Sequence, residues 1–334
     1  MATQTEQKEK LKSTGTPTIP VTVDNFRRAE SDMYFTTVAL KEGALGKFTH
    51  KREVFSVDNQ TVIRGNRDTL YSSGVFDLDA GRVTVTMPDP GKRFMSLMVL
   101  NEDHYNVDTK YGAGNYTYGR SQVGTRYVLI ALRTLVDPNN PDDVREVHAL
   151  QDAVKIDQRG GRGKFEVPAW DTATQKKIRD ALLVLASTIH DFTHAFGKKE
   201  EVDPVRHLIG TAAGWGGNPE KEAIYLNITP VKNDGKTIYK LAVKDVPVDA
   251  FWSISVYNAE GYYEKNAQNA YTLNDLTAKK EPDGSVVIQF GGCDGDVSNC
   301  LPIVSGWNYC VRLYRPRPEI INGKWKFPEP QPVR

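Results

Sequence analysis

Apolar residues recur at three- and four-residue spacing most clearly along Ile178, Leu182, Leu185, Ile189, Phe192 and Phe196. That period is one stripe of a helix. Asp171 before it and Gly197 after it predict a single helix over 171–196. A weaker stripe, Phe26, Ala29, Met33 and Val38, predicts a helix from the N-cap Asp24 to about Leu40, stopped by Gly43. Pro141 opens a third, carrying Val144, Val147, Leu150 and Val154. Asp203-Pro204 opens a fourth, whose packed face reads Val205, Leu208, Ile209 and Ala212. His207 lies roughly opposite that face, so it is expected to point outward.

Elsewhere the pattern is that of strands. Phe94–Leu100 and Tyr127–Leu132 are apolar at nearly every position, which predicts strands covered on both faces. Trp252, Ile254 and Val256 alternate with Ser253, Ser255 and Tyr257, the two-residue period of a strand. Asp79-Ala80-Gly81 and Asn233-Asp234-Gly235 each separate two such runs and predict hairpins. Further strands are expected around SVVIQF and NYCVRLYRP, and the Pro-rich tail after Pro316 is expected to lie extended on the surface. The order is β-rich, helical, β-rich, with no internal repeat of fixed period. It predicts an α+β fold of two antiparallel, sandwich- or jelly-roll-like lobes joined by a helical segment. We read a flexible tail over 1–20, an N-terminal β-rich domain over 21–165, a helical connector over 166–222 and a C-terminal β-rich domain over 223–334.

Composition narrows the function. The 334 residues hold 43 Lys+Arg against 42 Asp+Glu, so the chain lacks the cationic surplus of a nucleic-acid binder or a polybasic membrane anchor. No run of residues is long and apolar enough to predict a membrane span. Residues 1–18 lack the apolar stretch of a secretory signal, so the chain as written is expected in the cytoplasm. A periplasmic or exported location requires a signal that has been removed. The three cysteines are Cys293, Cys300 and Cys310. The first two enclose CDGDVSNC and can close a bridge or remain thiols; the sequence leaves both open. Asp294, Asp296 and Ser298 imitate half of a calcium loop. Asn299 and Ser305 replace its Gly and Glu, so a plain turn is the expected reading.

Six histidines allow each to be weighed. His190 and His194 have metal-ligand spacing on the expected helix, but their angle turns them away from its packed side, toward water. His104 follows a doubly buried strand in NEDHY. On an extended chain Glu102 shares its side, so His104 is the candidate general base and Glu102 its orienter. Arg67 and Asp68 must face opposite ways, so one of them enters the fold and needs a partner there; with Tyr71 they are candidate substrate contacts. Arg206 is a second candidate anion anchor, with His207 beside it. Trp215 in the Gly-rich GTAAGWGG, together with Trp252 and Tyr257, is a candidate pocket wall. GTAAGWGG follows a helix and lacks the Gly-Lys-Ser/Thr ending of a phosphate loop. There is no Gly-x-Ser-x-Gly elbow, no HExxH and no dinucleotide fingerprint. No metal-ligand set is assigned, and no cofactor can be named.

Long ordered stretches carry a resemblance. GNRDTLYSSGVFDLDAG, PDPGKRFMSLMVLNEDHY and GTRYVLIALRTLVDP resemble the domain of unknown function 1254. YKLAVKDVPVDAFWSISVYNAEGYY, AYTLND, NCLPIVSGWNYCVRLYRP and WKFPEPQPV resemble the domain of unknown function 1214, which commonly follows it. The resemblance implies a bacterial or related protein with two β-rich lobes, assigns no activity and transfers no catalytic set. Two functions remain open. One is an enzyme acting on a small polar or carbohydrate-like molecule in a cleft between the lobes, through His104 and Glu102. The other is a non-catalytic module that holds a glycan, a protein or another copy of itself through Tyr116, Tyr118, Tyr262 and Tyr263.

Overall fold

A computed structural model describes residues 17–60 and 62–333. The expected flexible tail therefore lies mostly outside the described residues, although Ile19 is already anchored, its amide donating to the Ala169 carbonyl at 2.7 Å.

The N-terminal lobe begins with α1 (Phe26–Thr36), which ends in a π-helical turn over Thr37–Lys41. Strands β1 (Thr49–His50), β2 (Thr69–Asp77), β3 (Val83–Met87), β4 (Met95–Asn101), β5 (Asn106–Tyr111) and β6 (Gly114–Tyr118) follow. The short α2 (Arg120–Val123), β7 (Tyr127–Leu135), α3 (Pro141–Asp152) and β8 (Lys155–Asp157) complete it. A five-stranded antiparallel sheet, β1-β2-β7-β4-β5, packs on a three-stranded one, β6-β3-β8. Phe76, Val83, Val85, Leu97, Ile130 and Leu132 fill the space between them.

Helices α4 (Thr172–Ala186) and α5 (Pro204–Ala213) connect the lobes. Asp171 and Asp203 cap them as expected. The C-terminal lobe holds β9 (Ala223–Ile228), β10 (Tyr239–Val243), β11 (Trp252–Tyr257), β12 (Thr272–Asn274), β13 (Val286–Phe290), β14 (Cys300–Leu301) and β15 (Asn308–Tyr314). It ends with α6 (Pro318–Ile321) and β16 (Gln331–Pro332). The sheets β12-β11-β15-β9 and β14-β13-β10-β16 enclose Trp252, Ile254, Ile288, Phe290, Trp307 and Val311. The fold is α+β and β-rich, with two sandwich lobes, as the pattern predicted.

Three local expectations are corrected. Neither hairpin forms: β2 pairs with β1 and β7 while β3 pairs with β6 and β8, and β9 and β10 belong to different sheets. Both Gly-containing turns reverse the chain as predicted, but at sandwich corners, where each strand finds a better-covered partner in the facing sheet. The long helix stops at Ala186 instead of reaching 196, because Ser187 and Thr188 turn their hydroxyls back onto the Val184 and Leu185 carbonyls. Leu185 is left exposed, and His190 and His194 lie in exposed turns. His207 is completely buried, while Val205 of its expected packed face is exposed. The physical reason is that α5 lies against the β4–β5 turn, and there His207 finds two carbonyl partners.

Cys293 and Cys300 are joined in a disulfide, and Cys310 is a buried free thiol. No helix among the described residues is long and apolar enough to cross a membrane.

Candidate functional site

The pairing of β2 with β7 sets Tyr71 beside Arg133 and Ser73 beside Ala131. Alternation sends Phe76, Ile130 and Leu132 into the N-terminal core. Tyr71, Ser73, Ala131 and Arg133 therefore share the other face. Part of that face is covered by α1 and the π-helical turn after it, which pack Phe35 and Ala39 onto Val75, Met98 and Leu129. Part meets the C-terminal lobe. Between the two covers these four residues stay half-buried, although most of their strand neighbours are fully buried. They are the candidate floor of a cleft at the lobe boundary.

Arg133 is the charged group of that floor. Its guanidinium lies 5.4 Å from the Tyr71 ring centroid. It makes a 3.4 Å contact with the Gly216 carbonyl and a 3.8 Å contact with the Met98 sulfur. No carboxylate lies within 4 Å of it among the described residues. Burial opposes its charge, yet Tyr71, Tyr225 and Tyr314 raise its pKa above the ordinary arginine range.

The facing wall is the inner side of β9 and β15. Tyr225 accepts from Asn218 Nδ2 at 2.7 Å and leaves 39% of its surface accessible. Its ring meets Tyr314 edge-on at 6.5 Å. Asn66 Nδ2 donates to the hydroxyls of both Tyr71 (3.1 Å) and Tyr314 (2.8 Å), tying floor to wall. Burial holds the Tyr225 and Tyr314 hydroxyls protonated well past neutrality. On the same face of β15, buried Arg312 donates to Ser255 Oγ and Tyr257 Oη and to the carbonyls of Arg64 and Gly65.

The third side is an aromatic column. Tyr105, His207, His104, Trp215 and Tyr34 stack in that order, with successive centroids 4.6, 5.4, 5.4 and 4.3 Å apart. It staples the β4–β5 turn, α5, the Gly-rich loop and α1 together. His104 Nε2 accepts from the Gly216 amide at 2.8 Å, so Nδ1 carries the proton and donates to Thr211 Oγ1 at 2.9 Å. Gly216 needs its positive φ of 76° to aim that amide. At Gly217 a Cβ would come within 2.5 Å of the Phe196 ring.

The expected site residues are distributed as follows. His104 is 2% exposed with both ring nitrogens engaged, and burial with the neighbouring His207 pushes its pKa well below the usual imidazole value. That geometry does not fit a general base. Glu102 does not orient it: its Oε2 accepts the Tyr127 amide at 2.9 Å. The strand stops at Asn101, whose carbonyl and side chain accept the amides of His104, Asp103 and Tyr105. His104 is left-handed at φ 66°, so the two-residue alternation fails there. His207 sits between the Ala195 and Asp103 carbonyls.

Arg67 and Asp68 do diverge. Arg67 reaches the Phe55 carbonyl and the Tyr263 and Tyr271 rings. Asp68 is fully buried and accepts from Ser253 (2.6 Å), Asn274 (3.1 Å) and Thr272 (3.3 Å) across the lobe boundary. Arg206 is tied to Asp191, outside the cleft. Trp252 belongs to the C-terminal core and Tyr257 to the Arg312 cluster. Of the residues singled out, Tyr71 lies beside Arg133, and Trp215 is next in the chain to Gly216, whose carbonyl contacts Arg133. Tyr118 and Tyr263 are buried, so the four tyrosines of the alternative reading form no outer patch. The sequence reading missed Arg133, Tyr225, Tyr314, Asn66 and Asn218. One signal was present: Arg133 is a lone charge inside the apolar strand YVLIALRTL.

Two family profiles match the chain, both described as "Protein of unknown function": DUF1254 over residues 45–158, then DUF1214 over 228–318. The chain belongs to this two-domain DUF1254–DUF1214 family. The DUF1254 match spans β2 and β7 of the cleft floor, and the DUF1214 match includes β15 of its wall. Two solved structures share the fold. The VPA0106 protein from Vibrio parahaemolyticus superposes with a TM-score of 0.73 at 19% identity, over 93% of this chain and 98% of that one. A putative uncharacterized protein from Burkholderia cenocepacia gives 0.53 at 12% identity, over 99% and 94%. No curated protein matches this DUF1254–DUF1214 chain.

Proposed function

We propose that the interlobe cleft binds a small organic anion, a carboxylate-bearing molecule with further polar groups, and that Arg133 is its anchor. The observation that carries this reading is a half-buried guanidinium without a carboxylate partner among the described residues, ringed by tyrosine hydroxyls. A desolvated cation without a counter-ion is costly, and a ligand carboxylate would supply that counter-ion in forked geometry. The protonated hydroxyl of Tyr225 offers a hydrogen bond beside it, and the rings of Tyr71 and Tyr225 offer flat apolar walls. The cleft residues described above include no histidine or carboxyl group free to move a proton, so the binding reading is better supported than the acid–base one.

We further place the protein in an oxidising compartment, because a closed Cys293–Cys300 bridge would not persist in reducing cytoplasm.

Calorimetric titration with acetate, benzoate and succinate tests the anchor. At least one is expected to bind the native chain, and Arg133→Gln is expected to weaken it about tenfold to a hundredfold, the range for a lost charged hydrogen bond. Equal binding by native and variant chains would remove Arg133 from the site.

A further inference from the structure

A second recess opens at the lobe junction. It is a cavity of about 640 Å³ between the 90–95 turn and β5 of one lobe and residues 249–251, 275–276 and 315 of the other. Phe94 and Phe251 form an aromatic wall, with centroids 5.1 Å apart. Neither Arg133, Tyr71 nor Tyr225 lines it, so it is separate from the cleft.

Part of the charge around it is already neutralised: Arg93 is held by Asp143 and Glu146, and Asp249 by Arg317. Among the described residues the exposed Lys92 on its rim, Arg315 and Asp275 line it outside any ion pair. The Arg315 guanidinium lies 4.7 Å over the Tyr111 ring with no carboxylate within 4 Å among the described residues. Asp275 has a buried Oδ1 without a hydrogen-bond partner. Burial pushes its carboxyl up to about 6 against the opposing pull of nearby Lys280. The two residues line the same cavity without pairing with each other. An unpaired cation, an unpaired anion and an apolar wall in one hollow match a molecule that carries both charges and an apolar side chain.

We propose that this cavity is a second binding site, for a small zwitterion of amino-acid or dipeptide size. Asp275 receives its ammonium group, Arg315 its carboxylate, and Phe94 and Phe251 its side chain.

Calorimetry on the full chain with L-phenylalanine and glycyl-phenylalanine tests this, with the N-acetylated and C-amidated forms of each as controls. At least one zwitterion binds, and removing either charge weakens it about tenfold or more. Asp275→Asn abolishes the discrimination against the N-acetyl form, and Arg315→Gln abolishes that against the amide. Asp275→Asn also leaves the melting temperature at or above that of the native chain, because it removes a buried carboxylate oxygen that has no hydrogen-bond partner. The proposal is overturned if neither zwitterion binds, if the blocked forms bind as well, or if discrimination survives the substitutions.

Discussion

His104 and Gly216 meet through a 2.8 Å hydrogen bond in which the imidazole Nε2 accepts the glycine amide. The carbonyl of the same glycine, in the next peptide, contacts Arg133. An imidazole far from solvent thus sets the backbone that borders the cleft's charged group. On the proposed reading of the cleft, His104 acts as a positioning residue for Arg133.

Replacing it tests that role. His104→Ala leaves the half-buried Gly216 amide without its partner and opens a gap between Trp215 and His207. The expected cost is about 3 kcal/mol, from a lost buried hydrogen bond plus a cavity. Urea denaturation measures it. Carboxylate affinity should fall with it. Loss of binding at unchanged stability would instead return His104 to a direct chemical role.

The buried imidazoles also set a pH dependence. Desolvation lowers the folded-state pKa of both His104 and His207, so below about 6.5 the unfolded chain takes up protons that the native one refuses. Their contribution to stability is complete above that pH and declines as pH falls below it. Asp32 opposes them. Its Oδ1 is buried without a partner, and desolvation pushes the carboxyl up to about 7, so its stabilising contribution is lost as pH rises through 7. Asp32→Asn should therefore stabilise the chain more at pH 8 than at pH 5, by on the order of 2–3 kcal/mol. Equal effects at both pH values would contradict the assignment.

Asp68 fastens the lobes together. Its carboxyl accepts from three side chains of the other lobe. Asp68→Ala strands Ser253 and Asn274 in a dry boundary, and a loss of about 3–5 kcal/mol is expected, the range for breaking a buried charged network. A loss below 1 kcal/mol would mean that the boundary is wet.

These positions show what could be read from the chain in advance. Adjacent Arg67 and Asp68 had to diverge, because successive strand residues face opposite ways. The Trp252–Tyr257 alternation assigned one face to the core correctly. Both are local consequences of backbone geometry. The two false hairpins fail because turn residues specify a reversal and not the strand that follows as partner. The His104–Glu102 pair fails because Asn101 captures three amides and ends the strand. Arg133 was visible as a charge in an apolar strand, but nothing local reveals that Tyr225 and Tyr314, some ninety residues or more away, come to face it. That depends on how the lobes dock.

The disulfide yields a thiol count. The native chain without reductant should show no reactive thiol, since Cys310 is buried, and the denatured chain one. Joint Cys293→Ser and Cys300→Ser substitution should cost about 2.5 kcal/mol, the loop-entropy value for a ring this short. Three thiols in the denatured, unreduced chain would mean that the bridge does not form.

The most direct test is to locate a bound anion. Crystals of the native chain soaked in p-bromobenzoate, with data collected at the bromine edge, should show anomalous density between Tyr71 and Tyr225, with the carboxylate on Arg133. That density should vanish in Arg133→Gln crystals. Bromine peaks found only elsewhere, or an unchanged peak in the variant, would contradict the cleft as an anion site.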